Sequence, residues 1–486
     1  MFDFLYNTSF WIKAAQLMLS LSFLVVIHEF GHFLCARLCG VRVEKFYMFF
    51  NPKFSLLRFK KFDGIWHIAL FAPNTTENDE WSKHPESTEW GIGWLPFGGY
   101  CAIAGMVDET HDASKLAAQA QPWEFRSKNV WQRLLIIAGG ILVNFVAALL
   151  IFGLVFFHWG ETTLPLENAH QGLYFSEVFT EEGFEQQDKI VSIDGTEPQV
   201  LGDVFQALII EGKRNVVVER GETLIMSETL GTNLLAAQSE FARVERDHHR
   251  RDKHYQVRPY VAMGEYFPMV ITNVQEGQTG AYMGLQPGDS VVQVAGVQTP
   301  SFYEVQNELK KHPCETIALG FYRNGEYLTA EAFMGDQCML GVGVKPKFDF
   351  IETKTVHYGF FESMKRGIEH GWSTLVMYIK QFRLVFTKEG AQSLGGFGAI
   401  GNMFAGLWDW ESFWYMTAFL SLILAFMNFL PIPALDGGYI LFLLFEIVTG
   451  KQPSDKFLEK ANQIGMWLLL ALLIFANGND VLKIFM

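Results

Sequence analysis

The sequence is poor in cysteine and in positive charge, and each shortage excludes a class of protein. Its 486 residues include five cysteines, none spaced as a Cys-x-x-Cys pair, so a sulfur-ligated metal site is not expected. The 38 Lys and Arg are outnumbered by 52 Asp and Glu, and the net charge of −14 argues against nucleic acid as a partner. The pattern of a cleavable signal peptide is also missing, because the first apolar run ends in reactive residues and is expected to be retained.

Apolar residues, by contrast, are abundant. Half of the chain is hydrophobic and 45 residues are Phe, which is too apolar for an ordinary soluble protein of this length. The charged fraction of 19% is nevertheless too high for a pure membrane bundle. We therefore predict membrane spans near both ends with soluble domains between them. The four candidate spans are 10–34, 130–157, 413–430 and 464–476, and the last is short for a bilayer core that takes about 20 helical residues.

The first span contains a His-Glu-x-x-His motif, His28-Glu29-Phe30-Gly31-His32. On a helix, His28 and His32 share one face and can hold one Zn²⁺, while Glu29 can act as general base toward an activated water. Such motifs also occur by chance. Two histidines and a glutamate are costly at membrane depth, however, and persist there only if they pair, ligate or react. The motif therefore predicts a metal site.

A third ligand is expected near the other end of the chain, because catalytic zinc sites usually have three protein ligands and an open position. Asp436 is the one acidic residue in the apolar run 427–444. Pro431 and Pro433 should break the helix before it, and the glycines at 437–438 should loosen it afterwards, so that the carboxylate can face a neighbouring span. The alternative is a helix-end carboxylate that faces water.

The middle of the chain contains an internal repeat. Residues 183–195 and 284–296 share a glycine, an apolar residue, an aspartate five positions after the glycine, two apolar positions and a closing glycine. The copies are about 100 residues apart, the length of a small domain, and each precedes a predicted helix, 204–211 or 303–311. The pattern resembles the strand-turn-helix signature of PDZ domains and predicts two tandem modules. The charged run 243–253 is predicted to be a solvated loop.

Lys and Arg cluster after the first span and before the second. This asymmetry predicts that 35–130 is cytoplasmic and that both termini and the middle region lie on the other side. Within the cytoplasmic part, residues 41–70 alternate as strands do, and 74–89 are predicted to form an exposed loop. The apolar, glycine-rich stretch 94–105 is too short to span, which favours a hairpin or loop dipping into the membrane. A buried strand of a small sheet is the alternative.

The region after the second copy of the repeat carries weaker signals. Residues 360–386 predict a helix at the membrane surface, and 394–401 a flexible glycine-rich approach to the third span. Cys314 and Cys338 belong to the second copy. In an oxidising compartment they could form a disulfide, and two unpaired thiols are the alternative.

Together these motifs resemble the site-2 proteases, the intramembrane zinc metalloproteases of peptidase family M50, and among them the bacterial regulator of sigma-E protease branch. The resemblance rests on residues 28–32 and 428–438, on 138–145 in the second span, and on the doubled repeat. It covers essentially the whole chain.

The resemblance implies an α-helical polytopic membrane protein with four transmembrane helices, a membrane-associated β-hairpin region and two inserted α+β PDZ domains. Zn²⁺ would be bound by His28, His32 and Asp436, and Glu29 would be the catalytic acid and base. The expected substrate contacts come from two asparagines and from a loop that pairs with the unwound substrate as an added strand: Asn428, Asn144, Phe97, Gly98 and Gly99.

The implied function is intramembrane cleavage of single-pass membrane proteins, such as anti-sigma factors or remnant signal peptides, after prior trimming. The protein would be a multi-pass inner-membrane protein in contact with lipid and active in a stress response. Its active site would face the cytoplasmic side, and its termini and PDZ domains the periplasm. A non-catalytic PDZ scaffold is the alternative. A metal or ion transporter is disfavoured because the other spans lack further acids.

The expected organisation is a series of seven segments. They are the first transmembrane helix (1–35), the cytoplasmic and membrane-reentrant β region (36–129), the second transmembrane helix (130–158), two PDZ domains (159–260 and 261–346), a linker with a surface helix (347–412), and the last two transmembrane helices with the Asp436 motif (413–486).

Overall fold

The computed structural model describes residues 8–75, 79–96, 98–106, 119–251, 258–382 and 395–485. The helices are α1 Thr8–Leu38, α2 Val130–His158, α3 Glu177–Glu181, α4 Leu201–Phe205, α5 Leu230–Arg251, α6 Thr279–Tyr282, α7 Phe302–Leu309, α8 Phe360–Phe382, α9 Phe397–Asn402, α10 Trp410–Phe429, α11 Asp436–Thr449 and α12 Asp455–Phe485. A π-helical turn, Gln206–Ile210, continues α4.

The strands are β1 Val43–Met48, β2 Phe54–Phe62, β3 Ile65–Pro73, β4 Glu89–Ile92, β5 Tyr100–Ile103, β6 Glu161–Thr163, β7 Leu173–Phe175, β8 Ile190–Ile193, β9 Asn215–Val218, β10 Thr223–Ile225, β11 Met263–Glu265, β12 Met269–Val274, β13 Ser290–Val294, β14 Val297–Gln298, β15 Thr316–Arg323, β16 Glu326–Phe333, β17 Val342–Val344 and β18 Lys354–Val356. The elements form two compact units. One lies within residues 1–160, 357–379 and 395–481, and the other mainly within 161–356.

Four helices of the first unit are long and apolar enough to cross a membrane: Thr8–Leu38, Val130–His158, Trp410–Phe429 and Lys456–Val481. The four predicted spans are confirmed, and the last is longer than expected. At the start of α2, the Asn129 side chain accepts a hydrogen bond from the Gln132 N–H and the Gln132 side chain accepts one from the Asn129 N–H. α10 ends at Phe429 because Pro431 and Pro433 follow.

The first unit also contains a five-stranded sheet of order β3-β2-β4-β1-β5. β1 and β4 are parallel, and the other neighbours are antiparallel. The strands predicted within 41–70 are confirmed. The second half of 94–105 forms β5, a mostly buried edge strand, which is the alternative considered for this stretch. The expected exposed loop at 74–89 is confirmed for 74–75 and 79–88, apart from a short 3₁₀ turn at Glu80–Lys83. Glu89 instead is buried and begins β4, and residues 76–78 lie outside the described residues.

The sheet packs against the C-terminal half of α1. Val43, Phe46 and Ile103 share a buried cluster with Cys35 of α1 and Ile136 of α2. β1 therefore runs antiparallel to α1, away from the C-terminal end of this helix. This direction brings β5 toward the His-Glu-x-x-His motif.

The internal repeat is a structural repeat in the second unit. The first copy contributes β8, which pairs with β9, and the second contributes β13, which pairs with β15. Each copy closes on a left-handed residue followed by a left-handed glycine, Asp194-Gly195 in one and Ala295-Gly296 in the other. The helices expected after each copy are confirmed as α4 with its π-helical turn and as α7.

Each copy also has an arginine beside its repeated aspartate. Arg323 donates two hydrogen bonds of 2.8 Å to the fully buried carboxylate of Asp289. In the first copy the Arg220 Nη2 lies 3.5 Å from the Asp188 Oδ2. Burial alone would raise the pKa of Asp289, but the Arg323 guanidinium and the Gln286 N–H outweigh burial and hold it below its ordinary value.

Two expectations about loops are wrong. Residues 243–251 of the predicted solvated loop belong to α5, because Leu230 and Leu234 at its start pack into the core of the first copy. Residues 252–253 lie outside the described residues. In the glycine-rich approach at 394–401, residues 397–401 are helical in α9, where the Gly396 and Ala399 N–H groups donate to the Asp480 carboxylate. Residue 394 lies outside the described part.

Two further expectations concern residues near the second copy. The helix expected at 360–386 is confirmed as far as Phe382, and 383–386 lie outside the described residues. Cys314 and Cys338 are both described and carry free thiols, the first exposed and the second buried. The structure therefore matches the alternative of two unpaired thiols.

Replacing Asp289 with Asn should lower the free energy of unfolding of the second copy by about 2–3 kcal/mol, because the buried ion pair with Arg323 is lost. Asp188→Asn should lower the free energy of unfolding of the first copy by less, because Arg220 lies farther from Asp188 than Arg323 does from Asp289. Because the folded-state pKa of Asp289 is lowered, the stabilisation is complete above about pH 4 and is lost as the pH falls through the lowered pKa. Hydrogen exchange of β13 and β15 at pH 7 and pH 3 measures this. An equal effect at both pH values would contradict it.

Candidate metal centre

Three side chains predicted as ligands converge at one point. His28 and His32 are one turn apart on α1, and their Nε2 atoms are 3.2 Å apart. Asp436 is the first residue of α11, and its Oδ2 lies 3.2 Å from the His28 Nε2 and 3.4 Å from the His32 Nε2. The structure thus brings Asp436 to two residues that precede it by more than 400 positions in the chain.

This triangle has the dimensions of a zinc site. Metal–ligand bonds of about 2.0–2.2 Å in a tetrahedron place ligand atoms about 3.3–3.6 Å apart, close to the separations observed. The Asp436 Oδ2 is buried and has no hydrogen-bond partner of suitable geometry among the described residues. A buried carboxylate oxygen without a donor is costly, and a cation would satisfy it. Two imidazole nitrogens and one carboxylate oxygen are donors that suit Zn²⁺.

The Nδ1 atom of each histidine, which is not aimed at Asp436, also has a polar neighbour. The His32 Nδ1 lies 3.0 Å from the Ile136 carbonyl oxygen and can donate to it, which leaves the Nε2 lone pair for a metal. The His28 Nδ1 lies 3.3 Å from the Asn144 Nδ2. The Asn144 Oδ1 is buried without a partner among the described residues. Rotating the Asn144 side-chain amide by half a turn exchanges the places of Oδ1 and Nδ2. Oδ1 would then accept a hydrogen bond from the His28 Nδ1–H, which gives each of these two atoms a partner.

Glycines on α1 and α2 allow this close arrangement. A Cβ on Gly31 would lie 2.3 Å from the Gly139 carbonyl oxygen, so the two helix backbones touch there. A Cβ on Gly140 would lie 2.5 Å from the His32 Nε2 and 2.6 Å from the His28 Cε1. Sequence reasoning missed this role for Gly140. The available signal was the pair of adjacent glycines in the middle of an apolar span.

The start of α11 differs in one respect from the prediction. The break at Pro431 and Pro433 is confirmed, but Gly437 and Gly438 do not loosen the chain, because they lie within α11. Their role is packing: a Cβ on Gly437 would lie 2.1 Å from the Leu430 carbonyl oxygen. The glycine pair therefore lets the helix that begins with Asp436 fold back against the preceding loop.

A pocket of about 360 Å³ opens beside the three side chains. Glu29 lines it, as does Asn428, whose Nδ2 lies 3.4 Å from the His28 Nε2. The edge strand β5 forms part of its wall, together with the preceding Gly99.

The other expected substrate contacts are placed differently. Gly98, with φ of 132°, precedes Gly99 but does not line the pocket. Asn144 is fully buried behind His28. Phe97 lies outside the described residues.

Comparison with known proteins places the chain in a family. The model of "Peptidase family M50" matches residues 16–73 and 79–472. The regulator of sigma-E protease RseP of Escherichia coli K12 is 26% identical over 486 residues, covering 97% of this chain and 99% of the relative. The regulator of sigma E protease of Haemophilus influenzae is 26% identical, covering 98% and 100%. A Vibrio cholerae protein named as a candidate zinc metalloprotease is 26% identical, covering 96% and 97%.

These matches span almost the whole chain, which therefore belongs to peptidase family M50. The resemblance drawn from the sequence motifs is confirmed. So is the prediction that the protein is a peptidase.

Gly140→Ala should displace both imidazoles, because the added methyl group would overlap their rings. We expect a loss of bound metal of ~10-fold or more, since misplaced ligands cannot close the site. Zinc content after purification measures this. The control is Gly478→Ala in α12, where an added Cβ meets no atom of the described residues within 4 Å. Full zinc retention by Gly140→Ala would contradict the steric argument.

Proposed function

We propose that the protein is a zinc-dependent endopeptidase that cleaves single-pass membrane proteins within the membrane. His28, His32 and Asp436 bind the zinc ion, and Glu29 is the general base and acid. The observation that carries the proposal is the triangle of three ligand atoms, including an unsatisfied carboxylate oxygen, inside a bundle of membrane-length apolar helices. The zinc metalloprotease named among the relatives supports the choice of metal.

Each residue around the metal site has a separate role in the proposed reaction. When bound, Zn²⁺ supplies a Lewis acid that polarises the scissile carbonyl and lowers the pKa of a water. Glu29 follows His28 directly on α1 and lines the same pocket, where it takes the proton of the attacking water and returns it to the leaving amine. The Ile136 carbonyl holds His32 in the tautomer that leaves Nε2 free, and Asn144 does the same for His28 with its amide turned so that Oδ1 faces Nδ1.

Substrate is held in an extended form. A peptide bond in a helix is shielded by its neighbours, so the substrate must unwind before attack. β5 is an edge strand among the described residues and lies at the pocket wall, where an extended substrate can add to the sheet as a further strand. Gly99, which lines the pocket, lets the substrate backbone approach closely, and Phe97 and Gly98 precede it in the same segment. The Asn428 amide donates to the substrate backbone within the pocket.

The second unit controls access. Its two repeat copies are PDZ domains, within 159–260 and 261–346, and they act as a size filter that admits substrates already trimmed on the outer side. In this arrangement the protein lies in the inner membrane with its termini and PDZ domains in the periplasm. Relatives named as regulators of sigma-E protease support anti-sigma factors as the substrate class, with remnant signal peptides as another. A non-catalytic scaffold would need neither Glu29 nor the ligand triangle.

Glu29→Gln should abolish cleavage of a tagged single-pass substrate whose outer domain has been removed, because the amide cannot accept the proton of water. Zinc content should stay at the wild-type level, since Glu29 is not a ligand. A zinc chelator should stop the wild type as completely. The outcome that would favour a scaffold is a wild type that retains zinc but cuts no faster than Glu29→Gln across several substrate helices.

Asn428→Ala should lower kcat/KM by about 10- to 100-fold, the effect of losing one hydrogen bond to the substrate backbone. Zinc content should not change, because the side chain lies near His28 without being a ligand. Steady-state cleavage with parallel metal analysis checks both points. A loss of zinc that accounts for the whole loss of activity would show that Asn428 acts on the metal site instead.

A further inference from the structure

The loop before Asp436 is held against α12. A Cβ on Gly465 of this helix would lie 1.8 Å from the Pro433 carbonyl oxygen, so the helix backbone touches the loop directly. Gly438 makes a similar contact from the other side, where its Cβ would lie 2.6 Å from the Ile432 carbonyl oxygen. The loop is therefore enclosed between the start of α11 and the side of α12.

One polar side chain on α12 bonds to this loop. The Asn462 Oδ1 accepts a hydrogen bond of 3.3 Å from the Ala434 N–H, and its Nδ2 donates one of 2.7 Å to the Tyr439 hydroxyl. Ala434 comes two residues before Asp436, and Tyr439 three residues after it. Asn462 thus bonds to the chain on both sides of the carboxylate.

The loop needs such support. Ala434 has a φ of 75°, a left-handed conformation that an alanine adopts only at an energetic cost. Leu435, which caps α11, makes no side-chain capping hydrogen bond. The direction of the Asp436 carboxylate therefore depends on contacts from outside the loop. The Asn462 amide supplies two of them, one to Ala434 in the loop and one to Tyr439 in α11.

We propose that Asn462 is a positioning residue for the Asp436 carboxylate. It fixes the loop in the conformation that aims Oδ2 at the two imidazole nitrogens of α1. This role rests on the proposed zinc peptidase function, because the imidazoles and Oδ2 form a site only around a metal ion. Asn462 also lines the pocket, so the same side chain connects α12 to the site that the substrate enters.

The test uses the full-length protein and compares wild type with Asn462→Leu, Asn462→Asp and Gln463→Leu. Leu keeps the branching and the number of heavy atoms of the Asn462 side chain but makes neither hydrogen bond. Asp can accept from the Ala434 N–H and from a reoriented Tyr439 hydroxyl, so it is the conservative rescue. Gln463 also lines the pocket from α12, but its side chain donates to Glu459 at 3.5 Å and serves as the matched control.

The primary readout is the rate at which bound zinc passes to a chelator, and cleavage rate is the secondary readout. We expect zinc to leave Asn462→Leu ~10-fold faster than wild type or more, the usual effect of removing a group that orients a ligand. In zinc release, Asn462→Asp should stay within a few-fold of wild type and Gln463→Leu should match it. The Gln463→Leu control is compared by zinc release alone, because Gln463 lines the substrate pocket. Tyr439→Phe, which removes only one of the two bonds, should be intermediate, and it replaces Asn462→Leu if that variant does not fold.

Equal zinc release from Asn462→Leu, Gln463→Leu and wild type would overturn the positioning role while leaving the peptidase intact. Fast release from Asn462→Asp, equal to that from Asn462→Leu, would also overturn it, since the bonds would then not matter. A wild type that binds no zinc and cuts no substrate would instead remove the proposed function on which the role rests.

Discussion

The interaction on which the first unit depends is the meeting of two imidazoles and a carboxylate at one point inside an apolar bundle. Each of these groups is costly at membrane depth unless it is satisfied. The His32 Nδ1 lies beside the Ile136 carbonyl oxygen, and the His28 Nδ1 lies beside the Asn144 side chain. The Asp436 Oδ2, in contrast, has no hydrogen bond among the described residues. Because Asp436 comes from the far end of the chain, satisfying that oxygen with a cation also ties the last helices to the first. With the proposed zinc ion in place, metal binding and bundle assembly would therefore be coupled.

Backbone contact is the second condition for this arrangement. α1 and α2 touch at Gly31 and Gly139, and the loop before Asp436 touches α12 at Gly465. Larger side chains at these points would force the ligand-bearing segments to shift, and a metal site tolerates a displacement of only about 0.5 Å. The glycines thus hold the reactive groups at bonding distance, although none of them takes part in the chemistry.

The sequence was sufficient for features encoded by residue type at fixed spacing. The motif at His28, the isolated Asp436 and the doubled repeat were all recognisable because their chemistry or geometry is local. The contact of Gly140 with both imidazoles and the hydrogen bonds of Asn462 were not, because they depend on which helices cross and at what depth. α5 was misjudged for a similar reason: its charged end resembles a solvated loop, yet Glu245 is buried and accepts a hydrogen bond from the Arg258 N–H. The PDZ assignment of the repeat remains a prediction.

The position of β5 at the edge of its sheet has a consequence for the evolution of substrates. A peptide that adds to an edge strand presents alternate side chains to opposite faces. Side chains at every second position of a substrate would face the pocket, and those between would face away. Selection by such an enzyme would leave a two-residue periodicity in its substrates with no consensus sequence. Proteins with unrelated membrane segments could then become substrates, or cease to be, through single exchanges at alternate positions.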